Sequence, residues 1–322
     1  MATGVIGTNN QTVTTAATFI PELWSDEVIA SYQKNLVLAN LVTRINHKGK
    51  KGDTINIPTP VRGSATSKGE NSLVKIQGDT HGNTALSIDK HYEYSVLIED
   101  MAEVQALSSL RRFYTEDAGY ALSTQVDLDL FNQTAHLNGG NGVVVDGATA
   151  WNKAQVFDSS GVLADWDRTA STNAGNAVSL ATGGDAAIRS MIEKLDLADV
   201  PQDGRAIVLT PRQYTDMLGI ARYTEQAFIG DGNAIKTGKV GMIYGIEVFV
   251  TNAMGTASSA GGAVHDIGLV IHKDAMALVE QLGVRSQSSY MQEYLGDLYT
   301  ADTIYGVGEM RNLSGFAFVT DR

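Results

Sequence analysis

The chain contains no cysteine. Disulfides, thiolate catalysis and cysteine metal sites are therefore excluded, although this absence says little about compartment. It is also poor in proline, with five in 322 residues, and in cations, with 24 Lys and Arg against 36 Asp and Glu. The resulting net charge of −12 argues against an electrostatically driven nucleic-acid binder, because duplex binding needs clustered cations that release condensed counterions. A protein that lies near DNA without gripping it remains compatible with that charge. No run approaches the ~18 consecutive apolar residues of a membrane span, so no membrane partner is expected. The opening MATGVIGTNNQTVTTAATF lacks a basic segment followed by an apolar one, and no secretory signal is visible.

What is present starts with a two-part unit between Gly52 and Leu137. In GDTINIPTP, Ile55 and Ile57 alternate with Thr54 and Asn56, and Pro58 and Pro60 are expected to end that strand. A second strand puts Leu86, Ile88, Tyr92, Tyr94, Val96 and Ile98 on one face, interrupted only by Lys90. Ser87, Asp89, His91, Glu93 and Ser95 lie on the other. Between the two, Thr59 to Thr84 carries Gly63, Gly69, Gly78 and Gly82, and only Leu73-Val74-Lys75-Ile76 hints at further strand. Hairpin loops are usually about 2–5 residues, and a tip this polar cannot bury itself. The well-patterned arms favour a tip that another chain orders.

A long helix is expected from Glu99 to Leu137, with a capping arrangement of Asp100 and Glu103. Val104, Leu107, Tyr114, Ala118, Ala121 and Leu122 recur at helical spacing as far as Phe131. It would run roughly 55–60 Å at 1.5 Å per residue, without a sustained heptad, as a strut across which a sheet lies. Upstream, the first eighteen residues read as an unpacked arm. A helix then starts at Pro21 and Glu22 with the stripe Trp24, Val28, Ile29, Tyr32 and Leu36. His47, Lys48, Lys50 and Lys51 form a solvated turn before the first strand.

Downstream, Asn138 to Gly184, with Trp151 and Trp166, reads as an irregular surface excursion with short strands. A second subdomain begins near Asp185 with the helix AAIRSMIEKLDLA, the strand Ala206–Leu209 and a helix opened by Thr210-Pro211. The glycine-rich IGDGNAIKTGK, the strand-like GIEVFVTNAM, the loop GTASSAGGA and the strand Ile267–His272 follow, and the chain closes in the strands around YTADTIYGVGEM and GFAFVT. Strands and helices mix without βαβ alternation, so the fold class is α+β.

Local chemistry is sparse. NAIKTGKV, Asn233 to Val240, has Asn233 and Val240 where a phosphate loop needs glycine and a hydroxyl. Gly306 and Gly308 continue to Arg311 where a dinucleotide fingerprint wants glycine. The six histidines, His47, His81, His91, His136, His265 and His272, lack close metal-ligand spacing. Asp127 and Asp129 project about 200° apart on a helix and cannot share a metal by themselves. Asp165 and Asp167 flank Trp166 as loop carboxylates, where solvation is the common case. There is no GxSxG elbow and no SxxK pair. The expectation is no enzyme, with no catalytic, cofactor-binding or metal residues and no cofactor.

The order of parts resembles the Hong Kong 97-type major capsid protein of tailed bacteriophages, and the residues are similar to those of short-tailed, especially marine, phages. The similarity lies in FIPELWSDEVIASYQKNLVLANLV, VLTPRQYTDML, YGIEVFVTNAM and LYTADTIYGVGEMRNLSGFAFV, and covers nearly the whole chain. It implies an N-terminal arm and short helix over residues 1–45 and an extended loop over 46–98. A spine helix and peripheral excursion would cover 99–184, an axial domain 185–281, and returning peripheral strands 282–322. It also implies self-assembly as hexamers and pentamers into an icosahedral shell around packaged DNA, with the extended loop lying over a neighbouring subunit. A portal protein, a separate scaffolding protein and a decoration protein are the further partners, with localisation in the virion after assembly in the host cytoplasm. Lys68 and Lys75 lie in the loop tip, but no intersubunit crosslink is assigned to them. The alternative is an extracellular filament or surface-layer protein of similar composition. Flagellins, however, place long helices at both termini, whereas this chain ends in strands.

Overall fold

Two sheets and one long helix carry the fold. The computed structural model describes residues 37–49, 52–59, 63–74, 76, 82–100, 110–140, 144–145, 148–149, 151, 153–166, 178–220, 241–258 and 263–321. The N-terminal arm and first helix, the capping role of Glu103, and the segment Asn233 to Val240 lie outside these residues. So do His81, Asp167, Lys50, Lys51 and Lys75.

In chain order the elements are α1 (Leu38–Leu41), β1 (Thr43–Asn46), β2 (Thr54–Thr59), β3 (Gly82–Ser87), β4 (Lys90–Glu99) and α2 (Leu110–Gln133). The short β5 (Val144–Val145), β6 (Ala148–Thr149), β7 (Gln155–Phe157) and β8 (Leu163–Asp165) follow. Next come α3 (Leu180–Leu197), β9 (Arg205–Leu209), α4 (Pro211–Leu218), β10 (Met242–Ile243), β11 (Ile246–Val250) and β12 (Thr256–Ser258). The chain closes with β13 (Val264–His272), β14 (Met276–Met291), β15 (Gly296–Glu309) and β16 (Gly315–Thr320).

The larger sheet runs β10-β11-β9-β13-β16-β7-β8, with β12 pairing β13. Its central strands are buried on both faces, which is why they read as nearly continuous apolar runs. Ile207, Leu209, Val270, Phe316 and Phe318 face α3 and α4 through Ile188, Met191, Leu195 and Met217. Val208, Ile267, Leu269, Ile271, Ala317 and Val319 face the other way, onto Leu130, Phe131, Trp151 and Trp166. Thr210 opens α4 with a capping box: its hydroxyl accepts from Gln213 N, and the Gln213 side chain accepts from Thr210 N. The Thr-Pro start was therefore well announced.

Trp151 and Trp166 correct the reading of the excursion after the long helix. Both are buried, and β7 is a fully buried member of the larger sheet. Polar composition had pointed to surface, yet one short apolar triplet and two indoles sufficed to anchor the segment. The division by residue number also cuts across hydrogen bonding. β16, within 282–322, pairs with β13, within 185–281, and β14 runs unbroken through residues 281 and 282.

The smaller sheet is ordered β1-β14-β15-β4. The second alternating strand proves to be two. β4 pairs with β15 from Gly296↔Glu99 to Tyr305↔Lys90, whereas β3 pairs with β2, and the chain passes between them at Ile88 and Asp89. The predicted alternation persists across the break, with Leu86, Ile88 and Ile98 buried and Ser87, Asp89, His91, Glu93 and Ser95 exposed. Nor does Pro58 end the first strand; it pairs with Asn83 inside β2. A two-stranded ribbon leaves one edge of β2 without a partner, and proline is tolerated there.

Glu99 closes β4 and does not begin the helix. The 24 residues of α2 span roughly 36 Å at 1.5 Å per residue, and 3-10 turns continue to Gly139, kinked at Leu137 and Asn138. Ala118 and Leu122 pack on Tyr299 and Ala301 of β15, with Tyr92 and Tyr94 of β4 against them. The helix thus lies across the smaller sheet at one end and enters the main core at the other.

Candidate functional site: an arm with an uncovered apolar tip

The β2–β3 ribbon is held to the body at its base. Ile55 and Ile57 pack with Leu86, Ile88, Ala277 and Val279, while Ile88 N donates to Asp53 O at 2.7 Å. At the crossing, the arm backbone lies directly on β15. A Cβ added at Gly306 would stand 2.2 Å from Ser87 O and 3.0 Å from Ile88 Cα, and one at Gly308 would stand 2.3 Å from Leu86 Cδ2. These two glycines, which match no complete dinucleotide fingerprint, are the seat of the arm.

Beyond the ribbon, residues 63–74 and 76 form no regular element, and the hinted strand at Leu73 is not formed within one chain. Leu73 is 97% exposed, Val74 72% and Ile76 91%. Three aliphatic side chains this naked at the end of an anchored arm form a candidate contact surface. Backbone amides of residues 63–74 should therefore exchange rapidly in isolated subunits and more slowly once copies associate. Equal protection by hydrogen-exchange mass spectrometry in both states would count against such a surface.

Several titratable residues singled out by the sequence tie elements of the fold together. Asp127 is buried and accepts from Val37 N and Ala39 N, both at 2.9 Å, fixing the start of α1. Asp129 points elsewhere, as the helical angle required, and accepts from Tyr305 Oη at 2.8 Å and Gln125 Nε2 at 3.1 Å, with Lys90 Nζ at 3.7 Å. Burial, reinforced by that carboxylate, pushes the Tyr305 phenol far up. Tyr94, half-buried, is pushed up to about 12 by desolvation and by donating to Asp117 Oδ2.

Asp165 is not merely solvated. Burial alone would raise its carboxyl, but Lys153 at 2.6 Å and Gln155 at 2.7 Å outweigh that and hold it below its ordinary value. Asp302 takes a bidentate pair from Arg285, at 3.0 and 2.8 Å. That guanidinium, opposed by burial and aided by His91 at 3.4 Å, holds the Asp302 carboxyl low. No local pattern pointed to this trio. The registry of β4, β14 and β15 creates it.

His272 is buried, with Nδ1 accepting from Asp274 N, so Nε2 carries the proton donated to Asp203 O at 2.8 Å. His265 is buried edge-on to Trp166 with ring centroids 5.0 Å apart. His136 lines a polar cleft of about 350 Å³ with Asp89, Lys90 and Glu309. Among the described residues, no three His, Asp or Glu side chains converge as metal ligands, and no helix is long and apolar enough to cross a membrane.

No family model and no curated protein matches the chain. Solved structures do. Mycobacterium phage Che8 aligns at 22% identity over 93% of this chain and 97% of the other, with a TM-score of 0.70. The capsid structure of cyanophage P-SCSP1u aligns at 18% identity over 97% and 96%, with a TM-score of 0.72. The capsid asymmetric unit of cyanophage Pam1 aligns at 15% identity over 99% of both, with a TM-score of 0.64. Alignment over nearly the whole chain with these structures gives it an α+β fold of the Hong Kong 97-like type found in phage capsids.

Proposed function

We propose that this chain is a major capsid protein of a tailed phage, assembling as hexamers and pentamers into an icosahedral shell that encloses packaged DNA. The observation that carries the reading is the arm. It is seated on β15 by glycine contacts, yet ends in Leu73, Val74 and Ile76, which one copy leaves uncovered. A fold shared over its length with phage capsid structures supplies the context in which a second copy covers them. The role is structural and non-catalytic. The sequence similarity to short-tailed marine phages, the virion location after assembly in the host cytoplasm, and the portal, separate scaffolding and decoration partners belong to the same proposal. So does the division into arm (1–45), extended loop (46–98), spine and peripheral excursion (99–184), axial domain (185–281) and returning strands (282–322).

Negative-stain microscopy of the purified protein, with a scaffolding partner supplied where the chain alone stays dispersed, tests it. Closed particles of uniform diameter are expected. Filaments or sheets would instead establish the filament or surface-layer alternative.

The charge of −12 gives a second expectation. Assembled shells should bind DNA only weakly and lose that binding as salt rises, because few cations are available to displace counterions. A gel-shift titration showing tight binding at physiological salt would oppose a wall that encloses DNA without gripping it.

A further inference from the structure

The turn that joins β14 to β15, with the end of β4 beside it, gathers large side chains that the core leaves in solvent. Tyr290 is 49% exposed, Tyr294 60% and Leu295 62%. Hydrogen bonds hold them as one patch: Tyr290 Oη donates to Asp100 Oδ2 at 2.8 Å, Asp100 N to Leu295 O at 3.0 Å, and Tyr294 N to Met291 O at 3.2 Å. Leu295 adopts φ +47°, a left-handed conformation in which a Cβ crowds the backbone and glycine is the usual residue. Leucine is kept there although its side chain gains little burial within the subunit. The charge around the patch has one sign. No Lys or Arg occurs from Ser286 to Met310, nor in β4 after Lys90. Glu99, Asp100 and Glu293 are exposed, and Asp297, opposite Tyr290 in register, is half-buried. None of these four carboxylates is in an ion pair among the described residues.

We infer that this hairpin end is a docking surface for a basic segment of a different protein, one that carries Arg or Lys next to an apolar side chain. Charge complementarity selects that occupant. Unpaired carboxylates repel nucleic acid, and they repel the same end of a second copy, whereas they attract a cationic segment and fix its register. The exposed tyrosine rings offer faces to guanidinium or ammonium groups, and Leu295 supplies the apolar anchor around which such contacts become strong. The inference stands apart from the shell-forming reading, because it is read on dispersed subunits.

Fluorescence anisotropy of a labelled peptide alternating arginine and leucine, titrated with dispersed subunits, tests it. The parent should bind this peptide about tenfold or more tightly than one alternating arginine and glycine, since charge alone does not engage the anchor. Leu295→Gly removes the anchor and relieves the backbone, so it should unfold no lower than the parent and yet lose about tenfold or more in affinity for the arginine–leucine peptide. Glu293→Lys should weaken binding similarly. Leu313→Gly and Glu193→Lys, exposed elsewhere on the subunit, should bind as the parent does. Parent-like binding by Leu295→Gly would overturn the docking surface. Equal affinity for the two peptides, or equal losses from Glu293→Lys and Glu193→Lys, would overturn it as well, by leaving only attraction to net charge. Subunits that pair with one another in sedimentation without peptide, and separate on Leu295→Gly, would give the patch to a second copy and likewise overturn the basic partner.

Discussion

Gly306→Ala should unseat the arm and abolish normal assembly while leaving the rest of the subunit folded. The methyl group would stand 2.2 Å from Ser87 O and within 3.1 Å of two further backbone atoms of the arm, and backbone cannot swing aside as a side-chain tip can. Gly306 is absent from the positions of positive φ, so space, and not backbone conformation, requires glycine there. Overpacking of this kind costs about 1–3 kcal/mol. The strained partner is a two-stranded ribbon, the element least able to resist on its own, so the arm should move before the sheet does. Gly308→Ala provides the internal scale. Its methyl would clash with Leu86 Cδ2 alone, the end of a flexible side chain, the other Leu86 carbons lying at ordinary contact distance, and a change of rotamer relieves it. The measurements are thermal unfolding of subunits, hydrogen exchange across β2 and β3, and microscopy of particles. Near-normal shells from Gly308→Ala and aberrant or absent shells from Gly306→Ala are expected. Normal shells from both would show that the arm is not held at this crossing.

That crossing also shows where sequence stops being legible. From Leu86 to Ile98 the alternation of buried and exposed residues is unbroken, because the inward face remains inward as the chain steps off one strand and onto the next. Period two reports which face is buried and is silent about which strand lies alongside. β14 is the opposite case. From Arg285 to Met291, with Ser286, Gln287, Ser288 and Ser289 exposed, it carries neither alternation nor β-branched residues. It is a strand because β15 supplies partners from Arg285 to Met291, a tertiary cause with no local trace. The Arg285–Asp302–His91 cluster follows from that pairing and was invisible for the same reason. By contrast, the buried strands near Ile207 and Ile271 and the capped start of α4 were readable. Continuous apolar runs and a capping box are local consequences of local physics. The exposed tip was legible as a segment that does not bury itself, since its apolar residues are too few to cover one another.

The second large effect concerns the face of α2 that meets the sheet. The helical stripe contains both Ala118 and Ala121, and the structure separates them: Ala118 is 0% exposed against Leu122, Tyr299 and Ala301, while Ala121 is half-buried. Gln125, polar and so expected on the solvent face, is half-buried and donates to Asp129, which makes it a poor reference position. Ala118→Trp should therefore be the severe substitution. An indole has no room where a methyl is already fully enclosed, so α2 must lift from β15 and β4 at a cost of about 1–3 kcal/mol or more. Lifting is transmitted, because the same helix fixes α1 through Asp127 and reaches Tyr305 through Asp129. Ala121→Trp should show a smaller loss. Asn132→Trp, on an exposed turn of the same helix, should leave the subunit's unfolding temperature close to that of the parent. Unfolding temperatures ranked Asn132, Ala121, Ala118 from highest to lowest, with closed shells lost first in the Ala118 variant, are expected. If Ala118→Trp unfolds with the parent and forms normal shells, the packing of the long helix on the smaller sheet is not what holds the subunit in its assembling shape.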